Sequence, residues 1–331
     1  MFFVQKANLS SHFRSTTKKP SNIPKSHQLA ARLFDEKVSL HLKTLDLSPN
    51  SSNISLSWLS AAASVLATVH SEAEVQISDS KSVKSEVDDY QVLYMDFSLK
   101  VLDLCNLLSS AVRRLTDRRL LMNFSLRFLN FTDQPPAPEK LNKAKDALTR
   151  SIKNTEEESE KEKEKGLRAK ALIEELAMLI GKLPRGNAGG GRDLIRRTFY
   201  ALGVLTVFVG GVLVAVLFGE TEVVKLRVPA EYVWADSVNG VQDRIFDLIK
   251  PEKNAVLELD DVTSQAVVIR DLLHAGVDGG DDAGGRVCLE AGVKEMVGRV
   301  KKFSDGIDDL TNGVNGIFGT VLKIRNGRLD M

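Results

Sequence analysis

Cysteine is scarce: Cys105 and Cys288 are the only two in 331 residues. Two distant thiols make neither a disulfide framework nor a CxxC metal site, and a reducing environment is the default. An excess of charge is also missing. Forty-five Lys and Arg face 44 Asp and Glu, so composition gives no ground for nucleic acid as a partner. Alternating strand patterns are absent as well, which excludes a sheet-based fold. So are the HExxH and GxSxG signatures of metal-assisted and nucleophilic hydrolysis, and His12, His27, His41 and His274 stand apart from one another. His70 and Glu72 form an HxE without the downstream PCxxC of zinc deaminases, so His70 is expected on the surface. The glycine run Gly186 to Arg192 lacks the Lys-Ser/Thr that completes a phosphate loop. Asp278, Asp281 and Asp282 lack the ligand order and closing Glu of a calcium loop. No catalytic, cofactor-binding or metal-ligating residue is nominated, and no cofactor is expected.

What is present is one long apolar run and much helical periodicity. Thr198 to Phe218 (TFYALGVLTVFVGGVLVAVLF) carries no charge and has about the twenty residues needed to cross a bilayer as a helix. It predicts a transmembrane helix over 198–218; the alternatives are a segment that dips into the membrane and a buried helix at the centre of a soluble bundle. Gly211, Ala215 and Gly219 recur at every fourth residue and form the candidate packing face for a second helix, including that of another copy. Lys182, Arg185, Arg192, Arg196 and Arg197 precede the run, while Glu220 and Glu222 follow it. That asymmetry predicts a single pass with a cytosolic N-terminal half, in the endoplasmic reticulum or plasma membrane.

The remainder reads as heptad-patterned helices, a coiled-coil-like all-α bundle. A helix over Leu29 to Leu47 ends at Ser48-Pro49-Asn50. A second buries Leu59, Ala62, Leu66 and Val69 and is capped around Ser52 and Asn53. A third seam runs through Tyr94, Phe97, Val101, Leu104, Leu108, Ala111 and Leu115 and continues, shifted in phase, through Leu121, Phe124, Phe128 and Phe131. Another helix starts with Leu141, Leu148 and Ile152 and crosses the charged run 156–165, a solvated connector, to Leu172, Leu176 and Leu179. Residues 184–197 form a Gly/Arg-rich hinge. Beyond the apolar run, the region 229–331 holds the seams Trp234 to Leu248, Leu259 to Leu273 and Val300 to Ile324, with a Gly/Asp-rich loop over 276–286. Glycines 306, 313, 316 and 319 inside the last seam imply either close packing or local fraying. Residues 1–28 are a basic tail or a transit peptide: Lys6, Arg14, Lys18, Lys19 and Lys25 occur with no acidic residue before Asp35, and no apolar stretch opens the chain as in a secretory signal.

Several strings carry a family resemblance. SWLSAAASVLATVH from Ser57, YMDFSLKVLDLCNLLSS from Tyr94, WADSVNGVQDRIFDLIK from Trp234 and FSDGIDDLTNGVNGIF from Phe303 resemble the plant BYPASS family of largely helical proteins, over most of the chain from about Leu29. The resemblance implies a role in root and shoot development, restraining a mobile, root-derived signal that arrests shoot growth. Members of the wider group are linked to vesicle tethering through exocyst subunits. The expectation is therefore a membrane-associated, non-enzymatic helical adaptor or regulator in contact with membrane lipid, with exocyst subunits or a second copy as protein partners. The alternatives are a vesicle-tethering component, an enzyme acting on an apolar signal precursor, and a plastid-directed protein.

Overall fold

The computed structural model describes residues 25–47, 53–79, 84–130, 136–152, 156–183, 191–220, 222–249, 256–278 and 283–329. Nine helices lie among the described residues: α1 Lys25–Lys43, α2 Leu56–Asp79, α3 Lys84–Phe128, α4 Pro138–Ile152, α5 Glu156–Gly181, α6 Gly191–Phe218, α7 Ala235–Leu248, α8 Leu257–Asp278 and α9 Ala283–Leu329. No strand occurs among them. A lone parallel bridge joins Ile54 to Val256, and there the Leu257 amide donates to the Ile54 carbonyl at 3.0 Å and the Leu56 amide to Glu258 Oε2 at 2.9 Å. The starts of α2 and α8 are thus tied together, each tie satisfying an amide that a helix N-terminus leaves free.

The apolar helix α6 is the axis of the fold. It is long and apolar enough to cross a membrane, yet 94% of its most apolar stretch is buried inside the bundle. α5 packs antiparallel to it, with Ile180 against Gly203 and Ile173 against Gly210, and α3 packs parallel, with Leu104 also at Gly210. A Cβ at Gly203 would lie 2.7 Å from Ile180 Cγ1 and one at Gly210 would lie 2.8 Å from Ile173 Cδ1, so these helices approach at distances only glycine permits. α2 reaches α6 through His70, and α7 through Phe208 and Phe246, whose ring centroids are 6.1 Å apart. Helices before and after α6 therefore share one hydrophobic core, from Phe34 to Ile324. A single pass would place α1–α5 and α7–α9 in different compartments; here α2 and α9 lie in direct contact.

The seams of α2, α3, α7, α8 and α9 fall on buried faces as their spacing predicts, with local corrections. In α3 the phase does not shift. Met122, Ser125 and Leu129 are fully buried and continue the same three-four alternation from Leu115 through Arg118, whereas Phe124 is 48% exposed and packs edge-on to Phe128. Arg118 on the seam interrupts the apolar pattern without moving it. Phe131 lies outside the described residues. The helix expected from Leu141 to Leu179 is two helices, α4 and α5. α1 ends at Lys43, before Leu47; α2 is capped by Ser55, whose Oγ accepts from the Trp58 amide at 3.1 Å, while Ser52 lies outside the described residues. The expected hinge 184–197 is helical from Gly191 onward, and the expected loop 276–286 is helical through Asp278 and again from Ala283. Residues 1–24 lie outside the described residues, and 25–28 belong to α1.

α9 runs parallel to α2 and antiparallel to α3. Ser60 Oγ donates to the Asp309 carbonyl at 2.9 Å. Gly306 faces Leu56 and Gly313 faces Ala63 and the Ser60 carbonyl, so close packing, not fraying, accounts for them. Gly319 has open space around it. Gly319→Ala is therefore expected to raise stability by about 0.5–1 kcal/mol through helix propensity. Gly313→Val, whose Cβ would stand 2.9 Å from Ala63 Cβ, should lower it by about 1–3 kcal/mol through overpacking. Thermal unfolding of the two variants checks this; shifts of the same sign would mean the α2–α9 approach is misassigned.

Candidate functional site

Three polar nodes fix how the helices sit, two at the ends of α6 and one between α9, α2 and α3. The first centres on Asp35 of α1, a carboxylate on the apolar face that also carries Phe34, Val38 and Leu42. Its side chain is 3% exposed. Arg197 Nη2 of α6 donates to Oδ2 at 2.7 Å and Trp234 Nε1 to Oδ1 at 3.2 Å. The Arg197 guanidinium also lies 4.6 Å from the Tyr232 ring centre, and Tyr232 stacks on Tyr200 at 4.9 Å. Each oxygen of a buried anion is thereby satisfied, the condition for tolerating such a charge inside a protein.

The second node closes the far end of α6. Arg114 of α3 donates to the Leu217 carbonyl at 2.9 Å, pairs with Glu162 of α5 at 2.6 Å and lies 5.6 Å from the Phe218 ring centre. A cation at a helix C-terminus satisfies an orphan carbonyl and opposes the negative end of the dipole. Lys165 Nζ donates to Ser110 Oγ at 2.7 Å. The charged run 156–165 is thus not wholly solvated: Glu162 and Lys165 point back to α3, and Glu160, Lys161, Lys163 and Glu164 face solvent. The third node joins the end of α9 to α2 and α3. Arg328 Nε donates to Glu74 Oε2 at 3.0 Å, its guanidinium lies 4.8 Å from the Tyr94 ring centre, and Arg325 Nη1 donates to Ser98 Oγ at 2.9 Å.

Two groups that could carry chemistry are buried in inert forms. His70 is in the core, not on the surface: it is 1% exposed, Nε2 is 3.4 Å from Thr206 Oγ1, and it lies beside Phe97. Burial lowers its pKa to about 3, so the imidazole is held neutral. Its neighbour in the HxE, Glu72, instead meets His41 and Lys37 of α1. Burial pushes the Cys105 thiol up to about 12, leaving no thiolate for nucleophilic or metal chemistry at neutral pH. Cys288 is exposed and distant. Among the described residues, no cluster of three His, Cys, Asp or Glu side chains could hold a metal ion.

The candidate packing face divides three ways. Gly211 meets Val223 of the segment after α6, Ala215 is 2% exposed within the core, and Gly219 lies just past the helix with φ 73°. That left-handed residue ends α6 as C-terminal glycines commonly do. The closest helix approaches fall at Gly203 and Gly210, seven residues apart, a spacing visible in the sequence. The Asp35 node was hidden there, although an Asp among Phe34, Val38 and Leu42 is a carboxylate on a buried stripe and signals a buried partner.

Outside the core, an open groove of about 750 Å³ lies between the end of α3 and the start of α9, lined by apolar residues such as Leu120, Leu126 and Val293 together with Arg127, Glu290 and Lys294. It presents apolar surface flanked by both signs of charge, a geometry for holding a helix or loop and not for acid–base work.

His70 makes a pH prediction. Above pH 6.5 neither the folded nor the unfolded state protonates it. Below 6.5 the unfolded chain takes up a proton that the folded chain refuses down to about pH 3. Stability should then fall with pH, at a limiting slope of about 1.4 kcal/mol per unit, beginning near 6.5. Denaturant unfolding between pH 7 and pH 5 should show this for the wild type and a flatter profile for His70→Leu; parallel profiles would place His70 in a solvated setting.

Residues 168–331 match the family described as protein ROH1-like. The chain is 28% identical over 246 residues to UPF0496 protein 4 of Oryza sativa subsp. japonica, covering 70% of this chain and 52% of that protein. It thus spans about half the length of the rice relatives it matches. It is 25% identical over 301 residues to Protein BPS1, chloroplastic, of Arabidopsis thaliana, covering 90% of this chain and 82% of that protein. No solved structure matches the chain. These matches, together with the all-α bundle, support the resemblance to the BYPASS-related family that the sequence strings carry.

Proposed function

We propose that the chain is a membrane-associated, non-enzymatic helical adaptor or regulator in plant root and shoot development, restraining a mobile growth-arresting signal by binding a partner. The observation that carries the non-enzymatic part is the state of its buried reactive groups. His70 and Cys105 are held neutral in the core, while the surface carries exposed apolar side chains and an open groove. Binding surfaces are thus the available means of action. Exocyst subunits are the proposed protein partners, and membrane lipid the proposed support.

Membrane association with α6 inside the bundle is peripheral. Lipid tails would cover α6 as well as protein does, but its departure would expose to water the faces of α2, α3 and α5 that now cover it. A plastid site is the second reading: the BPS1 relative is named chloroplastic, and this chain has six Lys and Arg and no acidic residue through Phe34.

The expected outcome of cell fractionation is a chain that sediments with membranes and is released by alkaline carbonate; resistance to carbonate would mean that α6 has left the bundle and spans. Proximity labelling in root cells should enrich vesicle-tethering or other peripheral membrane proteins. Turnover of an apolar precursor by the purified chain would overturn the non-enzymatic reading, and recovery inside plastids would move the site of action there.

A further inference from the structure

α6 suits two hosts. From Thr198 to Phe218 it carries no charge, and at about 1.5 Å per residue that stretch is about 31 Å long, close to the thickness of a hydrocarbon core. A helix satisfies its own backbone groups, so lipid covers it as readily as the bundle does. Three polar contacts hold α6 in the bundle, at its start, middle and end, and each runs through a titratable side chain of another helix. Asp35 of α1 binds Arg197, His70 of α2 meets Thr206, and Glu162 of α5 acts through Arg114 on the Leu217 carbonyl.

The middle contact has no place for an extra proton. Thr206 Oγ1 donates to the Leu202 carbonyl at 2.8 Å. Towards His70 Nε2, 3.4 Å away, it is therefore an acceptor, which assigns the imidazole proton to Nε2. Nδ1 is left as the bare nitrogen, with no hydrogen-bond partner among the described residues. A proton there makes an N–H without an acceptor and a buried charge without a counterion. The groups packed around it supply none: α6 brings Thr206 and no charge, and α3 brings Phe97 with Tyr94 one turn earlier. On α2 itself, Glu72 turns to Lys37 and His41 of α1, and Glu74 to Arg328 of α9.

At the two ends acid removes a carboxylate charge instead. A proton on Asp35 leaves the Arg197 guanidinium with only Trp234 and Tyr232 about it, since Arg196 is already paired with Asp193 at 2.9 Å. A proton on Glu162 leaves Arg114 against the Phe218 ring, with Lys165 3.3 Å from the neutralised carboxyl and Glu220 beside Gly166. Acid thus loosens all three points together. The stretch 198–218 meanwhile gains no charge, because Tyr200 is its only titratable side chain.

We propose that these contacts are an acid-sensitive latch: protonation of Asp35, His70 and Glu162 frees α6 from the bundle, and a lipid bilayer takes it up. The His70 contribution is complete above pH 6.5 and is lost as pH falls from there to about 3, by up to about tenfold in the folded ratio per unit. Neutralising either carboxylate acts in the same direction. The latch goes beyond the peripheral association proposed above and does not depend on it.

The test uses the full chain with phosphatidylcholine vesicles, which carry no net charge and so offer no electrostatic attraction to a chain made cationic by acid. Incubation at about pH 4.5 should give a vesicle-bound fraction that resists alkaline carbonate and, on digestion with proteinase K, retains a fragment containing Thr198 to Phe218. Incubation at pH 7 should give roughly tenfold less. His70→Leu removes the middle titration and should move the midpoint of uptake to lower pH. Glu162→Gln carries the neutral form of one end contact and should move it to higher pH, as should Asp35→Asn; the first of these keeps the test decisive where the second does not fold. Four results overturn the latch: no carbonate-resistant fraction in acid, an equal fraction at both pH values, a protected fragment that excludes α6, or midpoints that do not move in these directions. Any of them leaves the peripheral association standing, since that is read from sedimentation with cell membranes at neutral pH.

Discussion

Everything in this fold depends on covering α6. A helix of 28 residues whose apolar stretch is 94% buried needs cover on every side, and α1, α2, α3 and α5 supply most of it. Phe246 of α7 and Val223 of the segment before it touch α6 from the later half, and the packing of α9 on α2 and α3 and of α8 on α4 brings the two halves into one core. At roughly 1.5–3 kcal/mol for each fully buried large apolar side chain, residues such as Phe199, Leu205, Phe208 and Val212 make this the largest apolar contribution of any one helix. The same composition satisfies a bilayer, so apolarity alone cannot distinguish the two environments. In the bundle its cover comes from the apolar faces of α2, α3 and α5.

Close cover brings its own requirements. Glycines at 203 and 210 let α5 and α3 approach the axis, and glycines at 306 and 313 do the same between α9 and α2. Orientation is then set by charge. Asp35 with Arg197 fixes the start of α6 against α1, and Arg114 with Glu162 closes its end. Such pairs give little net stability when both partners are present, but removing one leaves an unpaired charge costing about 3–5 kcal/mol. They therefore discriminate against other arrangements of apolar helices that would pack nearly as well, the role that buried ion pairs are best suited to play.

The all-α class and the positions of the main seams are legible in the sequence because heptad spacing records buried faces directly. The phase of α3 beyond Leu115 differs from the one its hydrophobicity predicts for a specific reason: Arg118 occupies a seam position, and Leu121, Phe124 and Phe128 offer a more hydrophobic stripe than Met122, Ser125 and Leu129. Hydrophobicity and burial part company there because a buried Ser125 can donate its hydroxyl to the Met122 carbonyl at 2.7 Å. His70 was assigned to the surface by residue type, although it stands next to Val69 on a helix that lies against α6. The nodes were illegible, since pairing across 162 residues, as between Asp35 and Arg197, leaves no local trace beyond a charge where an apolar residue belongs.

This division of labour also shapes what the protein can do. Polar chemistry in the interior is spent on orientation: carboxylates face guanidinium groups, and the buried imidazole and thiol are kept in neutral forms. What remains for partners is at the surface, on helical faces whose apolar side chains the core does not use. α1 exemplifies this, because one turn of it can place Asp35 against Arg197 while the opposite side leaves Leu33 half exposed. A helix held so firmly by one face presents the other without conformational cost, and preorganisation of that kind is what a binding surface requires. Under the proposed binding role, the packing that covers α6 would also hold the outer faces of the bundle in place for a partner.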